Sequence, residues 1–257
     1  MSASAVQHVT SRDNALMKDL RRLSQDSTAY RRQQRVWLEG DHLCRAAAQR
    51  GVKAAIAVFA ESAFDPQWES AAERLVVVPD AIFAGLSALD SPAKMAFVLD
   101  MPSPAQMRAG VATVLLDGVQ DAGNVGSILR CAAAFGFAQV VAMKGTAALW
   151  SPKVLRAGMG AHFALSLLEG FDAGALSTLG VPLLATSSHE GELLHEARLP
   201  WPCAWVFGHE GRGVSRAVAE RATGCVRIAQ PGGEESLNVA AAAAICLHAS
   251  AAKAIPK

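Results

Sequence analysis

The stretch Asp117-Gly-Val-Gln-Asp-Ala-Gly-Asn-Val-Gly-Ser-Ile-Leu-Arg130 decides the fold class of this chain. The apolar run that precedes it, Val111 to Leu116, predicts a buried strand. The residues from Ser127 to Phe135 carry apolar side chains at helical spacing and predict a helix. A strand that ends in a Gly-rich turn and leads into a helix is where α/β folds place ligands. The stretch therefore indicates an α/β fold with a candidate site at this turn.

The polar side chains of the turn are the first candidate site residues. Asn124 can serve as the N-cap of the helix, and Gly123 and Gly126 let another group approach the backbone closely. We expect the guanidinium of Arg130, one or two turns into the helix, to project into a cleft. Spacing alone does not choose a reaction, because a capped turn with a surface arginine has the same pattern.

The rest of the second half of the chain continues the alternation of strands and helices. Four more strands are predicted, at Gln139 to Met143, Pro182 to Thr186, Ala204 to Phe207 and Cys225 to Ile228. A last helix is predicted from about Leu237 to Ala252. This order of elements predicts a mainly parallel sheet that helices cover on both faces.

The first part of the chain predicts a separate and smaller α/β unit. Short strands alternate with helices there, including a helix at Pro66 to Arg74 and a strand at Leu75 to Val78. The segment from Asp100 to Gly110 contains two prolines and polar residues, which is typical of a linker. We place the boundary near residue 105, which divides the chain into residues 1–104 and 105–257.

The composition is that of a globular protein. Of the 257 residues, 51% are apolar and 18% are charged, which excludes a disordered chain. The longest clear apolar run, Val239 to Leu247, has nine residues and falls short of the ~18 of a membrane-spanning helix. The first residues lack a basic-then-apolar signal pattern. We therefore expect a cytoplasmic protein without a membrane partner.

The cysteines predict free thiols. None of the five forms a C-x-x-C pair, and each lies in or beside an apolar run. They are Cys44, Cys131, Cys203, Cys225 and Cys246. This pattern indicates buried thiols in a reducing compartment and no metal site.

The distribution of charge says more than the net charge of +1. The first 35 residues contain seven basic and three acidic side chains, a net charge of +4. A local basic patch is the electrostatic footprint of a phosphate-binding surface. A solvated helix face with ion pairs has the same composition, so the two interpretations stay open.

Three motifs in order give the chain a family resemblance. Asp-x-x-x-Asp-x-x-Asn-x-Gly-x-x-x-Arg, from Asp117 to Arg130, resembles the first motif of the SpoU (TrmH-type) RNA ribose methyltransferases of the SPOUT superfamily. Cys203 to Val214 resembles the second motif, and Val226 to Ala240 resembles the third. Each Gly-rich turn alone is explained by a tight connection between a strand and a helix, but three matches in order are far more specific.

The first part resembles the small substrate-binding domain that many of these enzymes carry. Arg35 to Ala47 resembles its opening, and the domain in that family resembles an RNA-binding ribosomal protein. Ser151 to Phe163 resembles a family segment in which Lys153 and Arg156 are candidates for binding RNA phosphate; a solvated helix end is the alternative.

The chain departs from the family pattern at three places. It has Pro92-Ala93-Lys94 where the family commonly has Pro-Gln-Gly, and Gly158 and Ala240 where serine is usual. The departure at Ala240 removes any hydrogen bond from that hydroxyl.

The resemblance implies an α/β protein with a small N-terminal RNA-binding domain and a C-terminal domain closed by a trefoil knot. General topology rules do not predict a knot, so only the resemblance supports it. It also implies a homodimer and S-adenosylmethionine as cofactor. The residues implied to bind the cofactor are Thr186, Gly208, Ile228 and Leu237, and those implied to be catalytic are Arg130, Asn124, Glu210, Ser236 and Asn238.

The predicted function is S-adenosylmethionine-dependent 2′-O-ribose methylation of structured RNA, with ribosomal RNA favoured over transfer RNA. In the family the arginine of the first motif, here Arg130, handles the proton. Because a guanidinium stays protonated, a substrate phosphate is the other candidate acceptor. The alternative function is a non-catalytic RNA-binding or ribosome-assembly factor with the same fold. A dinucleotide-dependent oxidoreductase is disfavoured because no acidic residue follows a second strand at the required distance.

Overall fold

The computed structural model describes residues 6–89, 91–233 and 236–254. Its contacts divide the chain into two compact units. The first consists of Met1–Ser103 with Trp150–Phe163, and the second of Pro104–Leu149 with Ala164–Lys257. The assignment of residues 150–163 to the first unit was not predicted. The domain boundary near residue 105 stays a prediction.

The strands and helices alternate along most of the described chain. The strands are β1 Val6–His8, β2 Arg35–Glu39, β3 Ala54–Ala60, β4 Ala72–Val78, β5 Met95–Asp100, β6 Thr113–Asp117, β7 Gln139–Met143, β8 Ser166–Phe171, β9 Leu183–Thr186, β10 Glu192–Leu193, β11 Ala204–Gly208 and β12 Gly224–Arg227. The α-helices are α1 Ala15–Gln25, α2 Ala29–Gln33, α3 Asp41–Gln49, α4 Asp80–Leu86, α5 Ala122–Ala134, α6 Pro152–Gly158, α7 Arg216–Ala219 and α8 Val239–Ala254. Short 3₁₀ turns lie at Glu61–Ala63, Pro66–Trp68, Ala161–Ala164 and Ala173–Thr178.

The first unit contains a five-stranded sheet in the order β1-β4-β3-β5-β2. The pairs β1–β4 and β3–β4 are parallel, whereas β5 is antiparallel to β2 and β3. The helix predicted at Pro66 to Arg74 is wrong. Only a 3₁₀ turn forms at its start, and β4 begins at Ala72, because the run up to Val78 pairs with β3 and is buried from Leu75 onward. Helix α6 packs against β2 within this unit.

The presence of glycine at position 158, where the family usually has serine, has a steric explanation in the first unit. A Cβ atom at this position would lie 2.6 Å from Cε1 of the His162 ring, which is almost completely buried. The imidazole therefore occupies the space that the serine usual in the family would need. This departure from the family pattern is accommodated locally.

The second unit contains a seven-stranded sheet in the order β10-β12-β9-β11-β6-β7-β8, and every pairing is parallel. The predicted mainly parallel sheet is confirmed. Buried side chains such as Leu115, Val141 and Val206 form part of its core. Helix α5 packs against α8. The trefoil knot stays a prediction.

Among the described residues, no helix combines the length and the hydropathy that a bilayer crossing requires. All five cysteines are free thiols, as the sequence predicted. Cys44, Cys203 and Cys246 are buried, and the other two are half-buried.

Candidate functional site

The first and second motifs meet where two neighbouring strands end. Gly208, the last residue of β11, pairs with Asp117, the last residue of β6. The Asp117 Oδ2 atom accepts a hydrogen bond from the backbone N–H of Ser215 at 2.6 Å. This contact ties the loop after β11 to the end of β6.

Gly208 allows the second motif to fold back on its own strand. His209 and Gly213 exchange backbone hydrogen bonds of 3.0 and 2.8 Å, which close a short hairpin. A Cβ atom on Gly208 would lie 2.1 Å from the carbonyl carbon of Gly213. Any side chain at this position would therefore collide with the hairpin backbone.

Glu210, in that hairpin, is held by donors of the first motif. Its carboxylate accepts hydrogen bonds from the backbone N–H groups of Gln120 at 3.2 Å and Asp121 at 3.0 Å, and from Nδ2 of Asn124 at 3.2 Å. Burial raises the pKa of Glu210, but these donors and its own N–H outweigh burial and lower the pKa to about 2. The carboxylate is thus charged at neutral pH.

Asn124 does not cap the helix, so this sequence prediction is wrong. The N-cap of α5 is Asp121, whose Oδ1 atom accepts from the backbone N–H of Asn124 at 2.7 Å. Both side chains are good caps, and the one that precedes the first helical residue takes the role. Asn124 then lies inside α5, and its amide makes tertiary contacts.

Asn238 joins the third motif to the first. Its Nδ2 atom donates to Oδ1 of Asn124 at 3.0 Å. Its Oδ1 atom accepts from the backbone N–H groups of Ala240 at 2.9 Å and Ala241 at 3.3 Å. Asn238 directly precedes the first residue of α8, so these two bonds cap the helix.

Glu210, Asn124 and Asn238 form a chain of hydrogen bonds that we call the amide relay. A carboxylate only accepts at one end, and helix N–H groups only donate at the other. These two ends allow only one orientation of each amide in the relay. All three motifs are joined by it.

Beside the relay lies a cavity of about 570 Å³. It is lined by residues at the ends of β9, β11 and β12 and at the start of α8. All four predicted cofactor-binding residues are among them: Thr186, Gly208, Ile228 and Leu237. Of the predicted catalytic residues, Glu210 and Ser236 also line it.

The cavity lining is chemically divided. One part is apolar and includes Phe207, Val226 and Cys246. Burial raises the pKa of the Cys246 thiol to about 12, so this thiol is uncharged at neutral pH. Another part is the loop after β9, from Ser187 to Glu190, which is polar. This lining fits a ligand with an apolar ring at one end and polar groups at the other. The sequence prediction missed the loop; its position directly after a predicted strand could have indicated it.

Arg130 is separate from these residues. It lies on the third turn of α5, is exposed, and is not among the residues that line the cavity. Within the described part of the chain its guanidinium makes no hydrogen bond or ion pair. The structure thus brings Asn124, Glu210 and Asn238 together and leaves Arg130 accessible to a substrate.

The three motifs that resemble those of RNA ribose methyltransferases lie at the carboxyl edge of the parallel sheet, after β6, β11 and β12. Residues 112–248, more than half of the chain, match the model of the SpoU rRNA Methylase family. The chain belongs to this family.

Similar proteins cover nearly the whole chain. A tRNA/rRNA methyltransferase of Synechocystis sp. whose activity is uncharacterised is 32% identical over 271 residues, 95% of this chain and 93% of that protein. The 23S rRNA (guanosine(2553)-2′-O)-methyltransferase RlmP of Bacillus subtilis is 31% identical over 82% of this chain and 86% of that protein. The structure of an AdoMet-bound rRNA methyltransferase from Sinorhizobium meliloti has a TM-score of 0.85 at 25% identity and covers 98% of this chain and 99% of that one.

Proposed function

We propose that this protein transfers a methyl group from S-adenosylmethionine to a ribose 2′-hydroxyl of structured RNA, and that the RNA is ribosomal. The observation that carries the proposal is the cavity beside the amide relay, at which all three family motifs meet. The similarity to RlmP, whose name specifies 2′-O-methylation of 23S rRNA, supports the choice of reaction and RNA.

The cavity fits the proposed cofactor. Its volume of about 570 Å³ lies in the range of small-molecule sites. The apolar part around Val226 and Ile228 suits an adenine ring, and the polar loop from Ser187 to Glu190 suits the amino-acid end. When bound, S-adenosylmethionine supplies a methyl group already activated by its sulfonium. The chain must then hold the ribose oxygen in line with that methyl group.

Arg130 is the residue that we assign to the substrate at the reacting end. It is exposed and has no partner within the described residues, so it can bind a phosphate of the RNA. A guanidinium does not lose its proton in proteins, so Arg130 is not the base. We assign the hydroxyl proton to the substrate phosphate, while Arg130 orients that phosphate and neutralises charge.

The side chains of the amide relay hold the cavity wall in position and take no direct part in methyl transfer. The carboxylate of Glu210 accepts hydrogen bonds from three donors, and the side-chain amides of Asn124 and Asn238 are hydrogen-bonded to each other. These contacts hold the cavity wall at Ser236 and Leu237 against the first motif. We therefore propose that Glu210, Asn124 and Asn238 act through the geometry of the cavity, and that Ser236 contacts the bound nucleotide or cofactor.

We also propose a homodimer, which the family resemblance implies. Ile245 on α8 is 42% exposed and lies on the outer face of the helix with the exposed residues Ala241 and His248. A second copy that covers this face would bury it. The trefoil knot and a cytoplasmic location belong to the same proposal.

The experiment is to map 2′-O-methyl positions in ribosomal and transfer RNA from cells with and without this protein. We expect one ribosomal position to lose its methyl group and to regain it when purified protein and S-adenosylmethionine are added. If a transfer RNA position is lost instead, the proposed RNA is wrong. If every position keeps its methyl group, the result supports the non-catalytic RNA-binding factor.

A further inference from the structure

The first unit carries a basic surface that the linear sequence does not display. Residues 150–163 belong to this unit, although more than 45 residues separate them from Ser103. They bring Lys153 and Arg156 into the same compact unit as Arg50 and Lys53, which follow α3. All four side chains are exposed.

The turn after α6 lies directly against α3. A Cβ atom on Gly160 would lie 2.8 Å from Cβ of Ala46 in α3. Arg50 Nη1 donates to the carbonyl oxygen of the same Ala46 at 3.3 Å. Met159, one residue earlier, donates its backbone N–H to the carbonyl of Arg156. Arg50 and Arg156 each lie four positions from one of the two contacting residues, Ala46 and Gly160. We call the four cations Arg50, Lys53, Lys153 and Arg156 the α3–α6 surface.

The burial pattern of helix α6 places two of these cations, Lys153 and Arg156, on its solvent-exposed face. The Ser151 Oγ atom accepts from the backbone N–H of Val154 at 3.4 Å and caps the helix. Val154 and Leu155 are buried, which leaves Lys153 and Arg156 on the outer face. Side chains three positions apart on a helix are neighbours, with Cβ atoms about 5–6 Å apart. Two cations at this spacing can contact adjacent phosphates of one RNA strand.

The α3–α6 surface differs from the basic N-terminal segment in its pairing. At least four of the seven cations in the first 35 residues form ion pairs: Lys18 with Asp13, Arg22 with Asp19, Arg32 with Asp26 and Arg35 with Asp100. Within the described ranges, none of the four α3–α6 cations has an acidic partner. A paired cation presents less net charge to a phosphate than an unpaired one does.

We infer that the α3–α6 surface is a phosphate-contact surface for RNA, and that it contributes more to RNA affinity than the ion-paired cations of the N-terminal segment. This inference rests on the proposed function, since it identifies where the first unit holds the RNA. In this proposal Lys153 and Arg156 are RNA contacts rather than a solvated helix end.

The test measures how RNA affinity depends on salt. The probe is a fluorescently labelled transcript of bacterial 23S rRNA, and the protein is the full chain. Each lost phosphate contact lowers the slope of log affinity against log salt by about 0.7 to 0.9. Lys153→Ala/Arg156→Ala should lower the slope by about 1.5. The matched control, Lys18→Ala/Arg32→Ala, also removes two exposed cations and should change the slope by less than about 0.5.

The possible results distinguish a failure of the proposed RNA-contact surface from a failure of the proposed function. Equal changes in both double variants, or a larger change in the control, would overturn the inference while wild-type binding leaves the function intact. A wild-type protein without measurable affinity for the RNA would contradict the proposed function itself. Calorimetry with S-adenosylmethionine checks that each variant is folded, and Lys153→Gln/Arg156→Gln repeats the test with side chains that keep more of the original length.

Discussion

The two sheets of this protein differ in where their strands end. In the seven-stranded sheet every pairing is parallel, so β6, β9, β11 and β12 all end at one edge. In the five-stranded sheet β5 runs antiparallel to both of its neighbours, which divides the strand ends between two edges. A uniform strand direction lets loops that are distant in sequence build one site.

Asp26 and Asp41 of the first unit differ from Glu210 of the second unit in the partners of their carboxylates. The half-buried Asp26 and the exposed Asp41 pair with the cations Arg32 and Arg45 at 2.6 and 2.8 Å. In the second unit, Glu210 instead accepts from backbone N–H groups of another motif. Exposed ion pairs contribute about 0–1 kcal/mol each, whereas Glu210 holds two loops together. The predictions below test this difference, from the largest expected effect to the smallest.

Arg130 should give the largest effect, and the effect should be on chemistry alone. Arg130→Ala and Arg130→Lys should each lower turnover by about 100-fold or more, equivalent to about 3 kcal/mol, because lysine keeps the charge but loses the planar fork. Affinity for S-adenosylmethionine should stay near wild type. Single-turnover rates with saturating cofactor on the mapped RNA measure this. The matched control is the exposed Arg221→Ala, and a near wild-type rate for Arg130→Lys would refute the assignment.

Gly208 should give the next largest effect, on cofactor binding. A Cβ atom there would lie 2.1 Å from backbone of Gly213, so the hairpin that carries Glu210 must move. Overpacking of this kind costs about 2 kcal/mol, so Gly208→Ala should weaken S-adenosylmethionine binding about 30-fold by calorimetry. At Gly211 the nearest atom to a Cβ would be 3.9 Å away, so Gly211→Ala should bind nearly as wild type. Equal affinities in the two variants would contradict the steric argument.

The donor-to-acceptor direction of the amide relay predicts a smaller loss of cofactor affinity, and the loss should depend on the residue at position 210. Asn238→Asp still caps α8 but cannot donate to Asn124, so cofactor affinity should fall about fivefold. Glu210→Gln offers an N–H to Asn124, whose amide can then reverse and donate to Asp at position 238. In that background the second substitution should therefore cost less than about twofold. Calorimetry on the four proteins decides, and additive losses would contradict the relay.

Acidification should give the smallest and most gradual effect. The folded-state pKa of Glu210, about 2, lies below its unfolded value of 4.5. Its contribution to the free energy of unfolding is therefore fully present above about pH 4.5 and declines as the pH falls towards 2. The stability difference between wild type and Glu210→Gln, from urea unfolding, should shrink over that window. A difference that widens with acid would show that the sign is wrong.

Much of the fold could be predicted from local pattern, and the failures lie where that pattern is weak or is overridden by strand pairing. The apolar runs that became β6, β7, β9, β11 and β12 were identified because a buried parallel strand is apolar along its length. Strands β8 and β10 were missed: β8 is only partly buried and contains Gly170, and β10 has two residues. The helix expected before Leu75 was overridden by pairing with β3.

The sequence predicted which residues belong to the site but did not predict the hydrogen bonds that they make. Thr186, Gly208, Ile228 and Leu237 line one cavity, where the resemblance implied a cofactor. The choice of Asp121 over Asn124 as the cap was not visible, since both residue types cap helices well. The role of Asn124 depends on Glu210, 86 positions away, and on Asn238, 114 positions away.

Those separations also bear on the order of folding. We expect the hydrogen bond between Asn124 and Asn238, 114 positions apart, to form late in folding, because closing a long loop costs chain entropy. Helix α8 follows every described strand in the sequence. Leu237 just before it, and Val239 and Cys246 within it, supply one wall of the cavity. The cavity is therefore incomplete while β6, β9, β11 and β12 are still pairing. A partly folded chain can hold its sheet but cannot hold the methyl donor, which makes cofactor binding a report on the last step of folding.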